Sequence, residues 1–266
     1  NYVYGSSQNG HVARSVNGGT QYANFQTIAT NGKNGINQSG NWQSSFILDK
    51  NNPNRMFVGM NDVWKSINVK TSNPANVTWT NISSGKLPSN MTVEFMEQSK
   101  ANSDIIYLFT DHQEIYRTTN ALSSNVDWIK LFNFNNNYNV KFEAHPVYEN
   151  VVYMVSGNQV YVSTSYGLGW GNITGNLPDV GMRSLACLNG SNGGIFVGTT
   201  AGVYYKDSTM TDWTLFKSGL PLTYIRDMVI NYSTTPAQIF AGTYGRGIWK
   251  TDVLTSYMRD VSANTG

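Results

Sequence analysis

The sequence predicts an all-β chain: a β-propeller of four-stranded antiparallel blades, with about six blade units in its 266 residues. Three observations carry this expectation. Trp79, Trp128, Trp170 and Trp213 stand 49, 42 and 43 positions apart. Ahead of each lie three short apolar runs separated by polar turns. The phrases Gly85-Lys86-Leu87-Pro88, Gly175-Asn176-Leu177-Pro178 and Ser218-Gly219-Leu220-Pro221 then close successive units, and a Pro suits a strand exit where no ladder amide is needed. A four-stranded unit recurring every roughly 40–50 residues is the period of propeller blades.

Taken in order, the chain begins partway through a unit, with Tyr2-Val3-Tyr4-Gly5, a polar turn and Val12 to Tyr22. The next unit has Trp42 to Asp49, Arg55 to Gly59 and Val63 to Ser66, ending at Trp79. Val93 to Gln98, Ile105 to Thr110 and Glu114 to Thr118 lead to Trp128; Val140 to Ala144, Val151 to Val155 and Val160 to Ser163 lead to Trp170. Met182 to Leu188, Ile195 to Gly198 and Val203 to Lys206 lead to Trp213. Tyr224 to Ile230, Ile239 to Gly242 and Gly247 to Thr251 close the series without a fourth strand. The first unit thus supplies strands two to four and the last supplies strands one to three, so they do not merge into one blade. Either six blades close with worn edges or the chain is the C-terminal part of a larger propeller, and the second is the expectation. Residues 1–253 are assigned to the blades and 254–266 to a C-terminal linker or tail.

Composition narrows the function classes. Charged residues are 13% of the chain and the net charge is +2 with no basic block, so neither a duplex-binding surface nor a polybasic membrane patch is expected. Apolar runs such as Ile195-Phe196-Val197 are far too short to span a membrane, and the first residues carry no basic-then-apolar leader. The expectation is a chain exported as part of something longer, or a cytosolic one. The single cysteine, Cys187 in Leu185-Ala186-Cys187-Leu188, excludes an intrachain disulfide and reads as a buried small hydrophobe. His11, His112 and His145 are too far apart for a zinc spacing, and no metal or cofactor is expected.

The turn before Trp170 carries the most specific motif. Ser163, Ser165, Gly167 and Trp170 fall at positions 1, 3, 5 and 8 of a pattern that resembles the Asp-box, S-x-D-x-G-x-x-W, with Ser where that family has Asp. A short oxygen-bearing side chain at position 3 is expected to accept turn amides, Gly to take positive φ, and the Trp to bury its ring behind the hairpin. Ser15 to Tyr22 fits the same box with Asn17 at position 3 and Tyr22 at position 8, and a degenerate copy before Trp79 is stretched by six residues. In families that carry it, the box closes the turn between the two outer strands of a blade, away from the ligand face.

The last unit, Gly219-Leu220-Pro221, Ile225-Arg226-Asp227-Met228 and Phe240 to Asp252, resembles the final blade of the BNR/Asp-box, sortilin-like (VPS10-like) propellers of large exported Bacteroidetes proteins of the type IX secretion class. That resemblance implies a secreted or cell-surface bacterial protein. No box here keeps its Asp, and no sorting domain lies within these residues. The repeat class also includes sialidases and xyloglucan-active glycoside hydrolases, but the Arg-Ile-Pro-like motif of sialidases is absent. A two-carboxylate glycosidase needs its pair within about 5–10 Å. Asp62, Asp111, Glu114, Asp179 and Asp227 are the acidic residues the repeat places toward one face, and solvated turns are their alternative role.

In a propeller the turn between strands two and three and the link between blades share one face. That face is assigned Gln8, Asn9, His11, Asn61, Asp62, Asp111, His112, Glu114, Asn158, Gln159, Thr200, Tyr244 and Arg246, with Asn41, Trp42, Asn135 to Tyr138 and Asp179 added by links. The candidate ligand-binding residues are Trp42, Asp62, Asp111, His112, Glu114, Tyr138, Tyr244 and Arg246. For Trp42 the alternative is core packing at a strand start, and for Arg246 an interblade ion pair. Planar rings and amides suit a sugar face or a polar protein loop. The expected function is a non-catalytic module for adhesion or binding of a polysaccharide or protein on a cell surface, joined to missing portions of a larger parent chain. The alternatives are a glycoside hydrolase or sialidase completed by missing blades, and a structural scaffold subunit. Asp207-Ser208-Thr209 also resembles the Asp-Ser/Thr-X sites of O-glycosylated exported Bacteroidetes proteins.

Overall fold

The structure, a computed structural model, describes residues 1–131, 139–191, 193–216, 220 and 222–253. The chain divides into two compact units, Asn1–Asn133 and Phe134–Gly266. Among the described residues no helix is long and apolar enough to cross a membrane.

The first unit holds three antiparallel sheets. β1 (Val3–Ser6), β2 (Val12–Ser15) and β3 (Gln26–Ala29) form a three-stranded sheet; β4 (Phe46–Leu48), β5 (Met56–Gly59), β6 (Val63–Ser66) and β7 (Thr80–Asn81) form a four-stranded one. The third contains β8 (Val93–Gln98), β9 (Ile106–Thr110), β10 (Ile115–Thr118) and β11 (Ile129–Lys130), again in chain order. The run Met56-Phe57-Val58 shows why these strands read as continuously apolar: alternate side chains enter different cores. Met56 and Val58 join Val12, Ile28 and Trp79, whereas Phe57 joins Ile82, Val93 and Trp128.

The second unit repeats the plan. β12 (Lys141–Ala144), β13 (Val152–Ser156), β14 (Gln159–Ser163) and β15 (Gly171–Asn172) form one sheet; β16 (Met182–Cys187), β17 (Ile195–Thr199), β18 (Gly202–Lys206) and β19 (Thr214–Leu215) form the next. β20 (Ile225–Asn231), β21 (Gln238–Thr243) and β22 (Gly247–Asp252) make a three-stranded sheet. On β17, Ile195 and Val197 enter one core with Trp213, and Phe196 enters the other with Ile225. Cys187 is buried in the first of these cores, as a small hydrophobe.

The outer turns work as the box predicts, with one change of roles. Ser163 Oγ, at position 1, accepts from the amides of Ser165 at 3.2 Å and Gly167 at 2.9 Å, while Ser165 Oγ accepts from Gly169 at 3.1 Å. Gly167 takes φ 84°, where a side chain would be strained. The position-1 hydroxyl is therefore the main organiser, not position 3 alone. Ser15, Ser66 and Thr118 fill the same role, donating to the side-chain oxygens of Asn17, Asn68 and Asn120 at 2.6, 3.1 and 2.9 Å. The expectation for Tyr22 is overturned: its ring is 93% exposed. Phe25, just ahead of Gln26-Thr27-Ile28, holds the place relative to the last strand that Trp79 holds relative to Ile82, because the first box is lengthened by three residues.

The cores also set a pH limit. Burial, with a smaller contribution from the charge of Cys187, holds the Tyr153 phenol above its ordinary value. A raised folded-state value means that this stabilisation is complete below the unfolded value of about 10 and is lost as pH rises beyond it. Urea midpoints are expected to hold steady to about pH 9 and to fall above about pH 10, with Tyr153→Phe removing part of the fall. Tyr116 and Tyr161, also raised by burial, account for further slope. Identical alkaline slopes in wild type and variant would sink this assignment.

Candidate functional site

In the first unit, the turns after second strands and the links between sheets are tied into one hydrogen-bonded belt. Asn9, in the β1–β2 turn, donates its amide to Asn41 O at 3.1 Å and accepts from the Gly40 amide at 3.1 Å. Asn41 Nδ2 reaches Thr92 Oγ1 at 3.4 Å, and Thr92 donates its amide and hydroxyl to the two carboxylate oxygens of Asp111, both at 2.8 Å. Gly40 is required by this approach, since a Cβ there would lie 3.0 Å from Gly59 O and 2.3 Å from Ser44 Oγ.

The belt holds the next residue, Trp42, in the link ahead of β4, with its ring 67% exposed. Core packing at a strand start is thereby excluded, because β4 begins four residues later, at Phe46.

The predicted carboxylates of this unit are engaged locally. Asp62 accepts from Gln38 Nε2, Asn81 Nδ2 and Ser83 Oγ at 2.8, 2.9 and 2.7 Å. Glu114 accepts from Tyr116 Oη at 2.5 Å and pairs with Lys130. Burial would raise the Glu114 carboxyl, but the hydrogen bonds from Lys130 and Tyr116, with the charges of Lys130 and His112, outweigh it and hold the group below the usual carboxylate range. His112 sits exposed in the β9–β10 turn between Asp111 and Gln113.

In the second unit a strip of cations and rings replaces the amide belt. The Tyr244-Gly245-Arg246-Gly247 turn joins β21 to β22, with φ 74° at Gly245 and 76° at Gly247, and it leaves Tyr244 68% exposed. The Tyr244 amide donates to Tyr224 O at 2.9 Å, and Thr223 Oγ1 donates to Tyr244 O at 3.0 Å. The Arg226 guanidinium lies 5.4 Å from the Tyr244 ring centroid, and Arg183 lies 5.3 Å from that of Tyr224 while donating to its hydroxyl at 3.2 Å. Arg246 is exposed, and its carbonyl accepts from Trp249 Nε1 at 2.9 Å. Asp179 is hydrogen-bonded by Asn158, and Asp227 caps the Met228 amide at 2.9 Å. Tyr138 lies outside the described residues.

Arg183, Arg226, Tyr224 and Thr92 were not singled out by the sequence. Arg183 and Arg226 sit at register shifts near the starts of β16 and β20, between Met182 and Ser184 and between Ile225 and Asp227. A bulge re-aims one side chain without changing the alternation on either side, so the pattern conceals it. Tyr224 reads as the first residue of a strand that in fact begins at Ile225.

Solved structures share the arrangement, two of them as follows. An ancestral GH74 enzyme matches with a TM-score of 0.67 at 17% identity, over 94% of this chain and 34% of its own. YCF48 from Cyanidioschyzon merolae matches with a TM-score of 0.51 at 14% identity, over 82% of this chain and 70% of its own. The fold is a β-propeller. This propeller chain spans about a third of the length of the GH74 enzyme, and identities this low speak to fold alone. No protein-family model and no curated protein sequence matches it.

Proposed function

We propose that the chain is a non-catalytic propeller module of a secreted or cell-surface bacterial protein, of the BNR/Asp-box, sortilin-like type, binding glycan or a polar protein loop. One observation carries the reading. Within each unit a large ring stands exposed in a second-strand turn or an interblade link, Trp42 at 67% in the first and Tyr244 at 68% in the second, while Asp62 and Glu114 are consumed by neighbouring donors. Rings with amides or Arg beside them match the CH faces and hydroxyls of a sugar. A hydrolytic acid needs a raised carboxyl, and Glu114 is shifted the other way.

The test is retention in native gels cast with soluble polysaccharides, comparing wild type with Trp42→Ala and Tyr244→Ala, with reducing ends assayed in the same mixtures. Each ring is expected to account for about 0.5–1.5 kcal/mol beyond its buried area, so either variant should lose retention several-fold without loss of fold. New reducing ends would overturn the non-catalytic reading. Absence of retention on every polysaccharide would remove the glycan and leave a protein ligand.

A further inference from the structure

Trp79, Trp128 and Trp213 each fill a socket shared by their own blade and the one before it. Trp213 packs with Val160, Ile173 and Leu177 of the preceding blade and with Ile195, Val197 and Tyr204 of its own. Trp128 packs in the same way with Val63, Ile82 and Leu87, and with Ile106, Leu108 and Tyr116. Trp79 completes the set with Val12 and Ile28, and with Met56, Val58 and Trp64. In all three the indole Nε1 donates to a preceding-blade carbonyl, that of Ile173 at 2.8 Å, Ile82 at 2.9 Å or Ile28 at 2.8 Å.

A further socket of this kind is open among the described residues. Thr199 pairs with Gly202, and Thr243 with Gly247, so the register carries over residue by residue from β17–β18 to β21–β22. The Phe216 amide bonds to Val203 O at 2.8 Å just as Ile173 bonds to Val160 O at 2.9 Å. Val203, Phe216 and Leu220 therefore stand for Val160, Ile173 and Leu177, and Ile239, Ala241 and Trp249 stand for Ile195, Val197 and Tyr204. These six, with Lys250 and Thr251, line one groove. Beside it, β22 is exposed at almost every residue and has no strand on its outer edge among the described residues.

We infer that this groove and edge are a docking site for an extended strand of the form Trp-x-x-apolar, supplied by polypeptide outside residues 1–266. The occupant's chemistry is set by the established interfaces that the groove continues. The fourth strands are introduced by Trp79-Thr80-Asn81-Ile82, Trp128-Ile129-Lys130-Leu131, Trp170-Gly171-Asn172-Ile173 and Trp213-Thr214-Leu215-Phe216. Strand addition supplies the backbone bonds, and the Trp in its socket supplies selectivity. β18 and β19 pair Tyr204 with Leu215 and Tyr205 with Thr214, so the incoming strand lies beside Trp249 and Lys250. Residues 254–266 contain no Trp, and Tyr257 is their single aromatic. The inference is independent of what the opposite turns and links bind.

The experiment uses a fluorescein-labelled peptide of residues 207–216, whose sequence occupies the equivalent place one blade earlier, titrated with the full chain and read by anisotropy. Saturable one-to-one binding is expected, weakened at least about tenfold by Trp213→Ala in the peptide and by Ala241→Phe in the protein, which fills the groove. The peptide variant leaves the protein untouched, so the test survives if Ala241→Phe folds poorly. No binding, or equal binding by both peptides, overturns the inference. Binding that appears only after deletion of residues 254–266 overturns it in favour of the chain's own tail. A dimer of the unliganded chain by light scattering, lost in Ala241→Phe, overturns it in favour of a second copy.

Discussion

Replacing Trp213 by Ala is expected to lower stability by about 3–5 kcal/mol, read as a fall in the urea midpoint of the unit Phe134–Gly266. The ring is 3% exposed and lies in a core that draws on two sheets, so truncation removes the transfer energy of the ring and leaves a cavity that neither sheet can close alone. It also deletes the Nε1 hydrogen bond to Ile173 O at 2.8 Å and leaves that carbonyl to find another donor. The backbone at this position is held separately: Asn176 Oδ1 accepts the Trp213 amide at 2.7 Å and Asn176 Nδ2 donates to Trp213 O at 3.0 Å. Those bonds survive the substitution, so the measured loss belongs to the side chain. Trp42→Ala is the matched control. Its ring is 67% exposed, and the expected change lies within about 0.5 kcal/mol. A loss under about 1 kcal/mol for Trp213→Ala would mean that the box Trp is not what joins neighbouring blades.

The spacing of these Trp residues made the architecture readable from sequence. Trp79, Trp128 and Trp213 reach equivalent sockets, so their spacing stays recognisable while strands and loops vary in length. The expected runs Ile195 to Gly198 and Gly247 to Thr251 differ from the strands found by one residue at an end. The site was less legible. Loop sorting placed Asp62 and Glu114 on the ligand face, but a sequence does not show that Gln38, Asn81 and Ser83 converge on one carboxylate, or that Lys130 and Tyr116 converge on the other. Those contacts join residues 2 to 24 positions apart across strands whose register was unknown. Trp42 was ambiguous for a related reason: whether a ring faces solvent or core depends on where β4 starts, and strand ends are the least determined part of an alternating pattern. Arg183 and Arg226 escaped notice because a bulge leaves no mark on composition or period.

Asp49→Ala is expected to be comparably damaging, at about 3–5 kcal/mol, although in sequence Asp49 is only the last residue of an expected strand. The residue is 1% exposed, and its carboxylate accepts five hydrogen bonds. Oδ1 takes the amides of Asn51 and Asn52 at 2.8 and 3.2 Å and Ser103 Oγ at 3.0 Å; Oδ2 takes Arg55 Nη1 at 2.8 Å and Gln98 Nε2 at 3.3 Å. Two donors close the β4–β5 turn, and Gln98 and Ser103 come from the neighbouring sheet, so one side chain both ends a strand and joins two blades. Removing it strands Arg55, whose side chain is only 16% exposed, as a charge with no counterion at its side. Asp49→Asn keeps one acceptor oxygen but turns an NH₂ toward donors, so it should recover only part of the loss. Salt separates this pair from a surface contact. Lys86 and Asp127, 3.7 Å apart with side chains 42% and 68% exposed, should contribute about 0–1 kcal/mol, screened away by 1 M NaCl. The Asp49→Ala loss should instead persist in 1 M NaCl, because little solvent reaches the pair. A loss that fades with salt to the size of the Lys86 contact would show that Arg55 and Asp49 are solvated, and would assign the interblade tie to Gln98 and Ser103 alone.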